Sequence, residues 1–223
     1  MTGVKSRSAL RRGRDLRRDL IDAAVSLIAE NGLGSLSLRE VARKTGVTHQ
    51  APYRHFPTRA DLLVAIALEG YTLLGERQTG QLPDLTDMHR DEAMAPTLRL
   101  LLCYARFALD HRPYYQVMFC SEVGERKDRS PLKEAVHNTF EPMVQAIAAV
   151  RHQRHLRSAH TDYDVALSCW MLAHGTTMLY LDQHLRAHRE QMSLEELILH
   201  LVRALMEGFP WETAITSTES KPQ

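Results

Sequence analysis

Apolar residues recur along this chain at the three- and four-residue spacing of a buried helical stripe, and no alternating strand pattern of useful length appears. From Leu16 they run Leu20, Ala23, Ala24, Leu27 and Ile28, one face at a period of 3.6. That confines the fold to the all-α class. Asn31 and Gly32 tolerate the left-handed conformation that ends a helix, and Ser37 with Glu40 has the spacing of a capping box. A short second helix therefore starts at Leu38 and stops at Gly46. Thr48 can cap a third. Thr58 with Asp61 caps a fourth, whose apolar positions are Leu62, Leu63, Ile66, Ala67 and Leu73. Further helical stretches fall near 91–111, 113–122, 131–151, 163–187 and 193–208, with caps from Thr161 and the pair Ser193/Glu196. The total is about nine helices.

These elements sort into a small head over 14–57 and a larger body over 58–212, joined by the helix at 58–77. Stretch 78–87 reads as a loop, and 121–131 and 151–160 as exposed connections. A basic arm (1–13) and a tail (213–223) are expected to be disordered. The 223 residues are enough for one large domain or two small ones sharing a core. Net charge is only +1 but unevenly spread: residues 1–70 hold 12 Lys and Arg against 7 Asp and Glu, and 71–223 hold 16 against 20. A basic front on an acidic body suits a nucleic-acid-binding head, and equally a solvated tail. No apolar run approaches a membrane span, and the N-terminus is too basic and polar for a signal peptide. Cys103, Cys120 and Cys169 read as reduced core residues, so the expected location is the cytoplasm, with no membrane partner.

The stretch "GVTHQAPYRHF", Gly46 to Phe56, puts a proline four residues into a helix and surrounds it with short or planar hydrogen-bonding side chains. Two short helices meeting at "KTGV" make a helix-turn-helix, in which the second helix enters the major groove with its N-terminal residues on base edges. With Thr48 as N-cap, Pro52 forfeits only the first intrahelical bond, although its ring restricts the residue before it and makes the turn irregular. His49, Gln50 and Tyr53 share a face with Pro52 at its edge, and Val47, Ala51 and Phe56 fall on the other side. The outward set offers an amide, an imidazole, a phenol and an apolar ring to bases or phosphates.

The run from "LIDAAVSLIAENG" through "SLSLREVARKTGV" to "YRHFPTRADLL" resembles the DNA-binding head of the TetR family of bacterial transcriptional regulators. The likeness covers about residues 16–71. It implies an all-α homodimer with a three-helix helix-turn-helix head and a helical ligand-binding and dimerisation body. Such a protein binds a palindromic operator in double-stranded DNA and releases it when a small-molecule effector enters the body. By position, the resemblance implies backbone contacts from Ser37 and Arg39 and a recognition helix carrying Thr48, His49, Gln50 and Tyr53. His55 and Arg59 would grip phosphates. Two positions depart from the family: Pro52 stands where leucine is frequent, and Arg59 where lysine is usual. In the arm, Arg7, Arg11 and Arg12 are candidates for a minor groove.

In the body, "CWMLAHGTTMLYL" places Trp170, His174 and Met178 four apart down one face. Its Trp and His-Gly resemble a C-terminal domain type found in part of the same family. Phe107, Tyr115, Met118, Phe119 and Phe140 join them as a candidate pocket lining; plain core packing is the other reading. Leu194, Leu197, Ile198, Leu201, Val202, Leu205 and Met206 cover too wide an arc for one buried stripe, so a partner is expected, and the resemblance implies that it is a second copy paired through the last two helices.

Enzymatic signatures are missing from the sequence. "GLGS" follows a helix instead of a strand, and neither a nucleophile elbow nor a phosphate-binding lysine loop occurs. His184 and His188 are four apart without the glutamate of a zinc-protease helix, and His152, His155 and His160 sit in a basic connection. No cofactor, no metal and no catalytic role are expected. The competing class is a helical small-molecule-binding or interaction protein without DNA binding.

Overall fold

The computed structural model describes residues 4–80, 94–126, 130–154, 156–157, 159–185, 192–208 and 212–213, with backbone alone described for 4–15, 154, 156–157 and 212–213. Helices dominate. In chain order they are α1 (Val4–Asn31), α2 (Leu38–Thr45), α3 (Arg59–Thr79), α4 (Ala95–Asp110), α5 (Arg112–Met118), α6 (Ser121–Gly124), α7 (Leu132–Arg154), α8 (Asp162–Leu181) and α9 (Leu194–Gly208). Two single 3-10 turns, Leu33–Ser35 and Pro52–Arg54, complete the helical set. The only extended pairing among the described residues is a two-residue antiparallel contact, Leu156 with Thr213 and Arg157 with Glu212.

Helix starts follow the capping signals. Ser37 Oγ accepts the Glu40 N–H at 3.2 Å, while the Glu40 carboxylate turns to Arg43. At Thr58/Asp61, Thr161/Asp164 and Ser193/Glu196 the exchange is reciprocal: each hydroxyl accepts the amide three residues on, and each carboxylate accepts the cap residue's own N–H. Gly46, at φ 71°, closes α2 from the left-handed region. The stop of α8 is less conventional. Gln183 adopts φ 66°, its N–H reaches Tyr180 O, and the His184 N–H reaches Leu179 O, the two bonds of a Schellman motif built without glycine. That ends the helix at Leu181, short of the expected 187.

The chain divides into two compact units, and the division corrects the expected one. The first holds the chain to Leu74 together with Asp110–His137; the second holds Gly75–Leu109 and the chain from Asn138. Segment 110–137 thus belongs with the head. The reason is burial: Tyr115, Val117, Met118 and Val123 are fully enclosed there, in the same unit as Leu20, Ile28, Val41, Phe56, Leu62 and Ile66. α5 packs against α1 and the Leu33–Ser35 turn. Tyr71 meets Phe119 edge-on at 6.4 Å and donates its hydroxyl to Met118 O at 3.4 Å. Tyr114 donates to Glu69 at 2.6 Å, and the same carboxylate pairs with Arg18 of α1 at 2.9 Å, so three helices meet on one acid.

In the second unit, α4, α7, α8 and α9 surround Leu101, Ile147, Val165, Cys169, Ala173, Ile198 and Val202. α8 and α9 pack side by side, with Cys169 Sγ 3.7 Å from Met206 Sδ. Burial pushes the Cys169 thiol up to about 11, which keeps it protonated and inert. Cys103 is buried, Cys120 half-buried, and all three cysteines are free.

Three expectations change. α1 begins at Val4, so the backbone expected to form a disordered arm is helical from that residue; 1–3 and the tail residues 214–223 lie outside the described residues. The connection expected over 121–131 carries α6, held by the burial of Val123. The one expected over 151–160 continues α7 to Arg154. No helix among the described residues is long and apolar enough to cross a membrane.

Candidate nucleic-acid interface

The segment between α2 and α3 is where hydrogen-bonding side chains are left to solvent. Proline decides its local form. Without an N–H at Pro52, Thr48 O is taken by Ala51 N at 2.9 Å, and His55 N closes on Pro52 O at 2.9 Å. The expected third α-helix is therefore an irregular turn with one 3-10 element, Pro52–Arg54. Phe56, 2% exposed, anchors it from below, and Arg17 of α1 lies over the Phe56 ring at 5.2 Å.

Thr48, His49 and Gln50 are exposed, and Tyr53 leaves 43% of its surface to solvent, a large fraction for an aromatic side chain beside a core. Pro52 is the exception within the outward set. Its ring is buried, so it offers nothing to a thymine methyl. Arg54, which the sequence reading passed over, is exposed beside Tyr53. The signal was its place inside the quoted run. On α2, Arg39 is exposed, and among the described residues neither Arg39 nor Arg54 forms an ion pair. Lys44 is committed to Glu30 at 2.6 Å.

Three other expected contacts stand differently. Ser37 is half-buried, with its hydroxyl engaged in the α2 cap. His55 is half-buried. Arg59 is the most engaged of the three. Its Nε donates to Leu36 O at 2.9 Å, one terminal nitrogen to Leu33 O at 2.9 Å, and the other to the Glu122 carboxylate of α6. A guanidinium in the first turn of a helix looks available in sequence; here it fastens the α1–α2 turn and α6 to α3. Arg126 pairs with Asp61 at 2.9 Å one turn away. The hydroxyl of Thr58, more than Arg126, holds the Asp61 carboxyl below the usual carboxylate range.

The expected ligand lining is divided between the units. Tyr115, Met118 and Phe119 lie in the first, where Tyr115 and Met118 are fully buried and Tyr115 packs on Phe119 at 5.0 Å. Phe107, Phe140, Trp170, His174 and Met178 lie in the second. Phe107 is fully buried, while the next three form a group with two tyrosines. His174 Nδ1 is 2.6 Å from the Tyr104 hydroxyl, and its ring stacks on Trp170 at 5.1 Å and 17°. Phe140 stands edge-on to Trp170 at 6.4 Å and to Tyr163 at 5.3 Å. Met178 is half-buried. On α4, Thr97 Oγ1 is buried without a hydrogen-bond partner among the described residues, two helical turns before Tyr104. No group of three or more His, Cys, Asp or Glu able to hold a metal ion occurs among the described residues. His155 and His188 lie outside them.

Residues 20–66 match the family model described as bacterial regulatory proteins, tetR family, and residues 97–205 match that described as tetracyclin repressor-like, C-terminal domain. The chain is similar to the HTH-type transcriptional regulator AcrR of Shigella flexneri, 34% identical over 61 residues, 27% of this chain and 28% of that protein. It is also similar to YvdT of Bacillus subtilis (strain 168), an uncharacterized HTH-type transcriptional regulator, 28% identical over 115 residues, 43% and 59% of the two chains. The matched stretches span less than two thirds of either relative. Among solved structures, a protein of unknown function from Rhodococcus sp. RHA1 has the same fold, with a TM-score of 0.69, 26% identity, and coverage of 87% of this chain and 95% of that one. With its head and its body each matched by a model of the same repressor type, the chain belongs to the TetR family of bacterial transcriptional regulators.

Proposed function

We propose that the chain is a ligand-responsive DNA-binding repressor of the cytoplasm, working as a homodimer and not as an enzyme. The observation that carries this reading is the run Thr48, His49, Gln50, Tyr53 and Arg54, exposed side by side above a buried Phe56. Such side chains match the donors and acceptors of base edges and phosphates, and Arg39 adds a cation from the preceding helix. The 3-10 form gives a reading element of a single tight turn in place of a long helix. Ser37 and Arg59 position this element; the base contacts come from His49, Gln50 and Tyr53.

The effector binds in the second unit, beside the Tyr104–His174–Trp170 group. In support, Thr97 presents a buried hydroxyl, unpaired among the described residues, on the same face of α4 as Tyr104, and pockets combine apolar walls with few polar groups. Phe140 and Met178 belong to that lining. Dimerisation runs through α8 and α9. Met171 and Leu179 of α8 are 53% and 46% exposed, with space open around Gly175 between them, and Tyr163 nearer the helix start is 54% exposed.

The test is fluorescence anisotropy of the full chain with the duplex lying upstream of its own coding region, with and without metabolites extracted from cells. Saturable binding by a dimer, weakened steeply by salt and released by the extract, is the expected result. Failure to bind that duplex or any genomic fragment would leave the helical ligand-binding or interaction protein as the better reading.

A further inference from the structure

α4 carries a second concave feature on the side away from Tyr104. Thr97, Leu101, Tyr104 and Ala108 follow one another at three- and four-residue steps and are all buried. Arg99, Leu102, Cys103 and Arg106 occupy the opposite face of the same helix, and with Arg77 from the last turn of α3 they line a cleft of about 210 Å³. Cys103, 8% exposed, and half-buried Leu102 make its floor. Three guanidinium groups make its rim, and among the described residues no carboxylate lines it. Glu195, from outside the lining, reaches Arg106 Nε at 3.4 Å. Arg99 is exposed and forms no ion pair among the described residues.

We propose that this cleft binds a small-molecule oxyanion, a phosphate or carboxylate group, held by Arg77, Arg99 and Arg106. A guanidinium presents two parallel N–H donors that match either group, so several of them around one hollow select an oxyanion over a neutral ligand. The Leu102–Cys103 floor accepts a short apolar part attached to it. Because Arg77 comes from α3 and the other two from α4, a bound anion ties these helices together. This site is separate from the aromatic group assigned to the effector, and it stands or falls independently of DNA binding.

The experiment uses the full chain and two probes, inorganic phosphate and acetate, titrated by calorimetry. Alkylation of Cys103 is followed in parallel by peptide mass spectrometry, which separates it from Cys120 and Cys169. Saturable binding of one probe is expected, slowing Cys103 alkylation at saturation; the tighter probe identifies the group as phosphoryl or carboxylate. Arg99→Gln is expected to weaken binding about tenfold or more, the loss of one charged hydrogen-bonding partner. Lys133→Gln, an exposed cation on α7 outside the cleft, leaves it unchanged. The proposal is overturned if neither probe saturates, if Cys103 reacts equally fast at saturation, or if the two variants bind alike.

Discussion

Tyr53 and Arg59 sit six residues apart and have opposite fates. Tyr53 keeps 43% of its surface in solvent and lies outside the buried core. Tyr53→Ala should therefore reduce operator affinity by about 1–3 kcal/mol while leaving the thermal midpoint where it was. A footprint like that of the unaltered protein would show that the reading face lies elsewhere. Arg59 satisfies two backbone carbonyls and one carboxylate. Arg59→Ala should cost about 1–3 kcal/mol of unfolding free energy, measured by urea denaturation, because those acceptors lose their donor. Its role could not be read from the sequence: Leu33, Leu36 and Glu122 are 26, 23 and 63 positions away. The caps were legible because both partners lie within four residues of each other. One of them sets a pH dependence. Thr58 and Arg126 depress the folded-state pKa of Asp61, so the stability it contributes is present above its unfolded value and fades as pH falls through the folded one. Asp61→Asn should flatten part of the acid limb of a plot of stability against pH.

Among the elements, the least legible was the one with the fewest residues. α6 has four, too few to show a period, and exists because Val123 is buried and Glu122 and Arg126 have partners on α3. The turn at Pro52 was half legible. Missing its N–H predicted irregularity; that the ring would point inward depended on α2, against which the Pro52–Arg54 turn packs. Helices α3 and α5 meet closely at Gly70, where an added Cβ would lie 2.7 Å from Met118 Sδ and 3.3 Å from Tyr114 Cβ. Met118 is fully buried and Tyr114 is tied to Glu69, so neither retreats freely. Gly70→Ala should destabilise the first unit by about 1–3 kcal/mol, in spite of the better helix propensity of alanine. A rise in stability on calorimetry would mean that the contact yields more easily than its enclosure suggests.

At the scale of the whole molecule, assembly and continuity matter most. On α8, Met171 and Leu179 leave large apolar side chains exposed on either side of Gly175. Replacing Met171 and Leu179 together by glutamate should give a monomer in analytical ultracentrifugation, with helical content intact and binding to the full palindrome lost. A dimer that survives both charges would place the interface on another face. The overall class, all helical with a basic front, was plain from periodicity and charge; which segments share a core was not, since burial joins residues that the sequence separates. The first unit is assembled from two stretches, the chain to Leu74 and Asp110–His137, with the second unit's first stretch lying between them in sequence. Its reading head is thus not a cassette that can be cut at the end of α3 and grafted onto another body. A chimaera that takes only the first stretch leaves bare the surfaces that Tyr115, Val117, Met118 and Val123 had covered, and it deprives Arg59 of Glu122 and Asp61 of Arg126. A recombinant that carries both stretches keeps them, so this specificity is inherited through one crossover placed after His137, with the intervening stretch carried along, or through three crossovers where that stretch is exchanged.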